Sequence, residues 1–363
     1  MTGGDPQSEA HGLYQTALGL YGQGRHGEAA ALLGRAAEAG HVGAMSLLGG
    51  QLLSGRGAAP DPIRGVRMIM AAADAGGGYA CAMAAMLLAS GVGGADWPRA
   101  LDWLQRSAEL GFAPAQQQLR LLAGAEGEAK DVDWAKLRRA VSLDAWRTAP
   151  EPQVLSASPS IRTFAGVLPP AVCDWVIARG RERLAPAQVY DPATGGPMQD
   201  GARRNSAAEF ALADMDMVLM AVRERLAAAC GLDVCGMQGP QVLHYSVGER
   251  FTPHYDFLDP ELDGPARDIA VRGQRVATCL VYLNDGLEGG QTDFPELGLA
   301  HRGARGDALV FMNVDGEGRP DRRTLHAGLA PTRGEKWVLS QWVRDRAPPG
   351  VGDPRFVAAL NGR

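Results

Sequence analysis

Long apolar runs are missing from this chain: nowhere do about 18 consecutive apolar residues occur, the length a membrane-spanning helix requires. No membrane role is expected. A basic field is missing too. Acidic residues (41) outnumber lysine and arginine (36), the formal net charge is -5, and the basic residues form no extended run. Nucleic acid is not expected as a main partner, because phosphate binding needs a concentrated positive surface. Cysteine is scarce. The five present (Cys81, Cys173, Cys230, Cys235 and Cys279) are odd in number and lack the paired spacing of a zinc site or a disulfide framework. The opening residues, MTGGDPQSEAHG, have neither a basic start nor an apolar stretch, so no signal peptide is expected. Together with the scattered thiols, this predicts a reducing cytoplasm.

What is present is globular. With 363 residues, 46% hydrophobic and 21% charged, the chain is too long for one ordinary core, and two domains are expected. The first third repeats itself. AAEAG at 36–40, AADAG at 72–76 and SAELG at 107–111 recur at intervals of 36 and 35 residues, and SGRG at 54–57 returns as SGVG at 90–93. Two landmarks sharing one period indicate a true repeat. Each unit reads as two short helices. In the first helix of one unit, Val42, Met45, Leu48 and Leu52 share a face, and a Gly-x-Gly turn ends it. Asp61-Pro62 and Asp96-Trp97-Pro98 then place a capping acid and a first-turn proline at the start of the second helix.

This pattern resembles the Sel-like subclass of tetratricopeptide repeats over residues 9–124. The resemblance implies an α/α solenoid whose concave face holds a peptide or protein partner. A spacer without a ligand is the alternative. A capping helix over 131–146 and the Pro/Ser-rich stretch APEPQVLSASPS are expected to fill 125–159 as cap and linker.

From Ser160 the texture changes. A proline-started helix (PPAVCDWVIARGRERL), a Gly/Pro/Asp loop to about Gly201 and a second helix (ADMDMVLMAVRERLAAACG) come first. Five strand-like runs follow: PQVLHYSV, RVATCLVYL, QTDF, DALVFM and KWVLSQWV. Many short strands with tight turns predict an antiparallel barrel or sandwich preceded by helices.

These runs carry a metal constellation. FTPHYDF places His254 and Asp256 two apart, which in a strand puts an imidazole and a carboxylate on one face. RRTLHAGLAP supplies His326 as the third ligand. Two histidines and a carboxylate on one face of an octahedron leave three positions for a bidentate co-substrate and dioxygen. Lys336, ten positions after His326, could offer a fixed cation to that co-substrate's remote carboxylate.

HYSVGERFTPHYDF, RVATCLVYLNDGLEGGQTDFPELG and TLHAGLAPTRGEKWVLSQWVRD resemble, in order and spacing, the catalytic segments of the prolyl 4-hydroxylase family, over about 160–346. The resemblance implies a double-stranded β-helix, or jelly roll, with flanking helices, and a tail over 347–363. It implies an iron(II)- and 2-oxoglutarate-dependent dioxygenase using O2, with ascorbate as reductant. Iron would be held by the catalytic residues His254, Asp256 and His326, and 2-oxoglutarate by Lys336, Tyr245 and Tyr282. Arg204, in the ARRNSAAEF segment, matches the family's Arg-x-Ser loop near the substrate, and Trp342 would line the substrate mouth. Three readings stay open: a peptidyl-prolyl hydroxylase, a hydroxylase of a free amino acid or small metabolite, and a non-enzymatic scaffold. The intact metal set argues against the last. The oligomeric state is left open.

Overall fold

The computed structural model describes residues 5–125, 127, 131–190, 197–198 and 201–362. They divide into two compact units: Met1–Ser142 with Ala211–Met220 and Gly350–Arg363, and Leu143–Phe210 with Ala221–Pro349. No helix is long and apolar enough to cross a membrane among the described residues.

The first unit contains the repeats. Seven helices, Pro6–Gly22, His26–Glu38, Val42–Ser54, Pro62–Asp74, Gly78–Ala89, Trp97–Glu109 and Ala113–Leu122, each pack on the next. The expected start signals operate as read. The Asp61 side chain accepts the Arg64 N–H at 3.1 Å and that of Asp96 accepts the Arg99 N–H at 3.2 Å, each with proline in the first turn. Glycine sets how closely the helices pack. A Cβ added to Gly65 would lie 2.7 Å from the carbonyl oxygen of Gly49 on the preceding helix, so the two backbones touch where no side chain fits.

Two expectations are corrected at the ends of this unit. The helix predicted over 131–146 is broken into Trp134–Ala140 and Leu143–Trp146, because the backbone turns extended at the β-branched Val141. The expected tail holds a helix, Pro354–Leu360, capped by Asp353. Its buried face of Phe356, Ala359 and Leu360 packs on Pro62–Asp74 and Gly78–Ala89, and Asn361 Oδ1 accepts from Arg99 Nη1 at 2.7 Å. Amphipathic spacing makes it part of the repeat unit.

The second unit is built on two larger antiparallel sheets, with two two-stranded ribbons besides. The larger runs in the order Pro152–Ala157, Ser160–Phe164, Ala308–Met312, Arg275–Tyr282, Lys336–Arg344, Gln241–Tyr245, Ser206–Glu209 and Ala185–Pro186. The smaller runs Leu299–His301, Thr292–Phe294, His326–Gly328 and Phe251–His254. Alternate residues of the large sheet (Leu243, Tyr245, Leu280, Tyr282, Leu309 and Phe311) meet Phe294 of the small one in a shared core, the arrangement of the expected jelly roll. The helix Pro170–Arg181 packs by Gly180 against Val242, where a Cβ would come within 2.6 Å of the valine side chain. The linker expectation fails at one place: Pro152–Ala157 is an edge strand paired with Ser160–Phe164. An edge tolerates proline at its ends, so Pro-rich composition did not exclude a strand. Residues 191–196 and 199–200 of the Gly/Pro/Asp loop expected before Gly201 lie outside the described residues.

Candidate metal and co-substrate site

His254 ends the strand Phe251–His254 and faces His326, the first residue of His326–Gly328, in antiparallel register. Asp256, expected on the same strand as His254, lies just beyond its end. The bend there brings its Oδ1 to 3.7 Å from His254 Nε2 and its Oδ2 to 3.5 Å from His326 Nε2. Among the described residues, these three form the one His/Cys/Asp/Glu group whose ligand atoms all lie within 4.8 Å of one another.

The donor set fits an iron ion. Each imidazole gives its Nδ1–H to a main-chain carbonyl, His254 to Thr252 O at 2.8 Å and His326 to Thr324 O at 3.0 Å. That fixes the tautomer and turns both Nε2 lone pairs toward the carboxylate. Burial, then the neighbouring His326, lowers the His254 pKa, which favours the neutral form a metal needs. Burial pulls Asp256 upward, but His326, His254 and the Thr278 hydroxyl together hold it below the usual carboxylate value. Two neutral nitrogens and one anionic oxygen suit iron(II) with open positions for further ligands.

Behind the carboxylate is a relay the sequence reading missed. Thr278 Oγ1 donates to Asp256 Oδ2 at 2.8 Å, and Asn313 Nδ2 donates to Thr278 Oγ1 at 3.0 Å. Thr278 and Asn313 are fully buried. The signal in the sequence was a threonine set between the apolar neighbours of the run RVATCLVYL.

Lys336 opens the strand Lys336–Arg344 directly opposite Tyr245. It is 4% exposed, and its ammonium lies 5.1 Å from the Tyr245 ring centroid. It has no hydrogen bond or ion pair among the described residues, and burial pushes its pKa down to about 7. Burial likewise pushes the Tyr245 hydroxyl up to about 12, leaving a neutral donor. Both line one pocket with Thr292, Trp342 and the three metal-binding side chains. The Trp342 ring lies 3.9 Å below the Arg275 guanidinium, and its indole N–H has no partner among the described residues.

Two expected residues fall elsewhere. Tyr282 is absent from the pocket wall: its hydroxyl is tied to Thr292 Oγ1 at 3.1 Å and His301 O at 3.3 Å, so it supports Thr292 from behind. Arg204 is exposed and lines an adjoining open basin with Ser206 and Glu249. Its neighbour Arg203 enters the metal pocket instead. Arg203 pairs with Phe251 as a β-bridge, and successive side chains on an extended segment point to opposite sides.

Comparison with known proteins follows the same lines. The family model described as the 2OG-Fe(II) oxygenase superfamily matches residues 240–344. The chain is 30% identical over 211 residues to probable prolyl 4-hydroxylase 10 of Arabidopsis thaliana, an alignment covering 53% of this chain and 71% of that protein. A viral collagen prolyl hydroxylase from Paramecium Bursaria Chlorella virus-1, solved with 2OG, aligns at 25% identity over 51% of this chain and 95% of its own, with a TM-score of 0.40. A Sel1 repeat protein from Oxalobacter formigenes aligns at 25% identity over 39% of this chain and 61% of its own, with a TM-score of 0.29.

Proposed function

The chain belongs to the prolyl 4-hydroxylase family of 2-oxoglutarate- and iron(II)-dependent dioxygenases, and from that premise we propose that it hydroxylates a prolyl residue in a peptide or protein. When bound, the iron supplies oxidative decarboxylation of 2-oxoglutarate by dioxygen, yielding succinate, carbon dioxide and a hydroxylated C–H position. His254, Asp256 and His326, which all line the pocket, would hold it.

The observation that carries the reading is Lys336. A buried ammonium without a counter-charge is costly, and here it lies in the wall of the metal pocket. The distal carboxylate of 2-oxoglutarate is the missing partner, and Tyr245 and Thr292 add hydroxyl donors to the same wall. Once that carboxylate is seated, the metal-proximal end of the co-substrate is oriented and Lys336 regains its proton affinity. The apolar lining of Leu243, Leu280 and Val338 keeps water away from the reacting carbon. No side chain has to remove a proton for hydroxylation at carbon.

Succinate release, measured with proline-containing peptides, free amino acids and no substrate, tests the proposal. Proline peptides should raise succinate formation above the uncoupled rate and gain a hydroxyl by mass. A response to free amino acids alone would overturn the prolyl-peptide reading.

The helical repeats bind part of a long substrate, with Tyr79, which is 42% exposed and 5.8 Å from the Phe112 ring centroid, on the contacting surface. Tyr79→Ala should then raise KM for a long peptide and leave that of a short one unchanged. Ascorbate serves as reductant, so omitting it should shorten the period of linear turnover. A cytoplasmic setting is supported by five free thiols.

A further inference from the structure

The pocket contains a second buried cation, and the metal site gives it no task. Arg203 is 9% exposed and is common to the walls of the metal pocket and the open basin beside it. Its hydrogen-bond partners are neutral: Nε donates to Asn205 Oδ1 at 3.2 Å, Nη1 to Gln188 O at 2.7 Å and Nη2 to Gln241 Oε1 at 3.2 Å. A guanidinium has five N–H groups, so two are unclaimed among the described residues. Carboxylates approach only indirectly. Glu209 is held off by the Gln241 amide, which donates to it at 2.6 Å; Glu249 lines the basin, and Asp256 lies in the metal pocket.

Arg203 is also close to the chemistry. Its guanidinium lies 4.8 Å from the Phe251 ring centroid, and that ring stacks on His254 at 3.5 Å, so one aromatic layer separates the cation from a metal ligand.

Charge balance indicates what is missing. A divalent ion and dianionic 2-oxoglutarate cancel each other, and Lys336 cancels Asp256. Arg203 is left over. We infer that Arg203 binds a carboxylate of the primary substrate, close to the carbon that is hydroxylated. The inference rests on the iron and 2-oxoglutarate reading of the pocket and names the substrate class that reading leaves open. A neutral amide in the same place would accept a hydrogen bond but leave the charge uncompensated, so the site discriminates acid from amide. The carboxylate can be a chain terminus at the target residue or an acidic side chain beside it.

The test uses the full chain loaded with Mn(II) and 2-oxoglutarate, and reads peptide dissociation constants by calorimetry. Three acetylated proline peptides are compared: a neutral amide, the same peptide ending in a free carboxylate at the proline, and an amide with glutamate next to the proline. At least one acidic form should bind about ten- to a hundredfold more tightly than the neutral one, with the gap narrowing as salt is raised. The arm that gains identifies the source of the carboxylate. Arg203→Lys should keep part of the preference, and Arg203→Met should lose it while still binding 2-oxoglutarate. Equal affinity for all three peptides in the unaltered protein overturns the inference without any variant. So does a preference that persists in Arg203→Met. Replacing proline by alanine throughout separates this from its premise: acid preference kept undiminished by alanyl peptides sinks the prolyl reading and leaves the role of Arg203 standing.

Discussion

Among the described residues, the helical repeats and the metal pocket bury polar groups in opposite ways. Within the repeats, the buried polar residues are Ser46, Gln51, Ser90, Ser107 and Gln118, all uncharged. Ser46 and Ser90 donate to carbonyls one turn back, Ser107 donates to Gly78 O of the preceding helix, and Gln118 accepts from Met217 N, so each satisfies helix backbone. In the jelly roll, Arg203, Asp256, His326 and Lys336 are buried within one pocket. An uncharged interior costs little and specifies shape, whereas clustered buried charge is destabilising until a ligand completes it. The contrast marks the repeats as framework and the pocket as a site held in readiness, and substitutions should separate the two.

The metal ligands should produce the largest effects. His254→Ala, Asp256→Ala and His326→Ala are each expected to lower iron-dependent succinate formation at least about a hundredfold, more than an outer hydrogen-bond partner is worth. Metal content after dialysis should fall with it, while circular dichroism stays close to that of the parent. Asp256→Glu should fail as well, because its longer arm moves the carboxylate off the shared face.

Next comes Lys336. Lys336→Ala should raise KM for 2-oxoglutarate about ten- to a hundredfold by removing a charge-assisted hydrogen bond, with metal affinity unchanged. Lys336→Arg should recover part of that loss. The sign of the pH dependence follows from burial. In the free site Lys336 loses its proton near pH 7 rather than near 10, and only the protonated form pairs with a carboxylate. KM for 2-oxoglutarate should therefore rise as pH increases from about 7 to 9, by up to tenfold per unit. A flat profile over that range would remove the lysine from the role.

A smaller change is expected behind the metal. Thr278→Val keeps the shape and deletes the donor to Asp256, and should weaken metal binding about tenfold. Titration with Co(II), followed by absorption, would show it. The smallest effect on function belongs to the repeats. Gly65→Ala forces a methyl toward the Gly49 carbonyl and should cost the first unit about 1–3 kcal/mol of stability. KM for 2-oxoglutarate should not move, and a shift there would erase the division between framework and site.

Most of the metal site was legible because its chemistry is written in residue types that few other roles require. The HxD pair, a distant histidine and a lysine ten positions after it led to His254, Asp256, His326 and Lys336. The repeat period and the Asp-Pro caps likewise announced the helices. What escaped depends on register and on neighbours distant in sequence. Arg203 and Arg204 are adjacent and chemically identical; a single bridge to Phe251 decides which one enters the pocket. Tyr282 sits on the correct strand, yet its hydroxyl is taken by Thr292 and His301, partners no local pattern reveals. Asn313 and Thr278 meet only because Ala308–Met312 pairs with Arg275–Tyr282. The segment Pro152–Ala157 looked like a linker because prolines lie close to it, and pairing made it a strand.

His254 and His326 stand seventy-two positions apart in the chain, yet face each other across two adjacent strands. An ion held by both is a tether between distant parts of the polymer. In an unfolded chain the two imidazoles rarely meet, since closing a loop of that length carries an entropic cost. The ion therefore has affinity only for molecules whose small sheet has already zipped up, and by mass action it biases the population toward them. Bound iron would add stability to a sheet that pairs without it. A chelator would then lower the melting temperature of the loaded protein while leaving it folded.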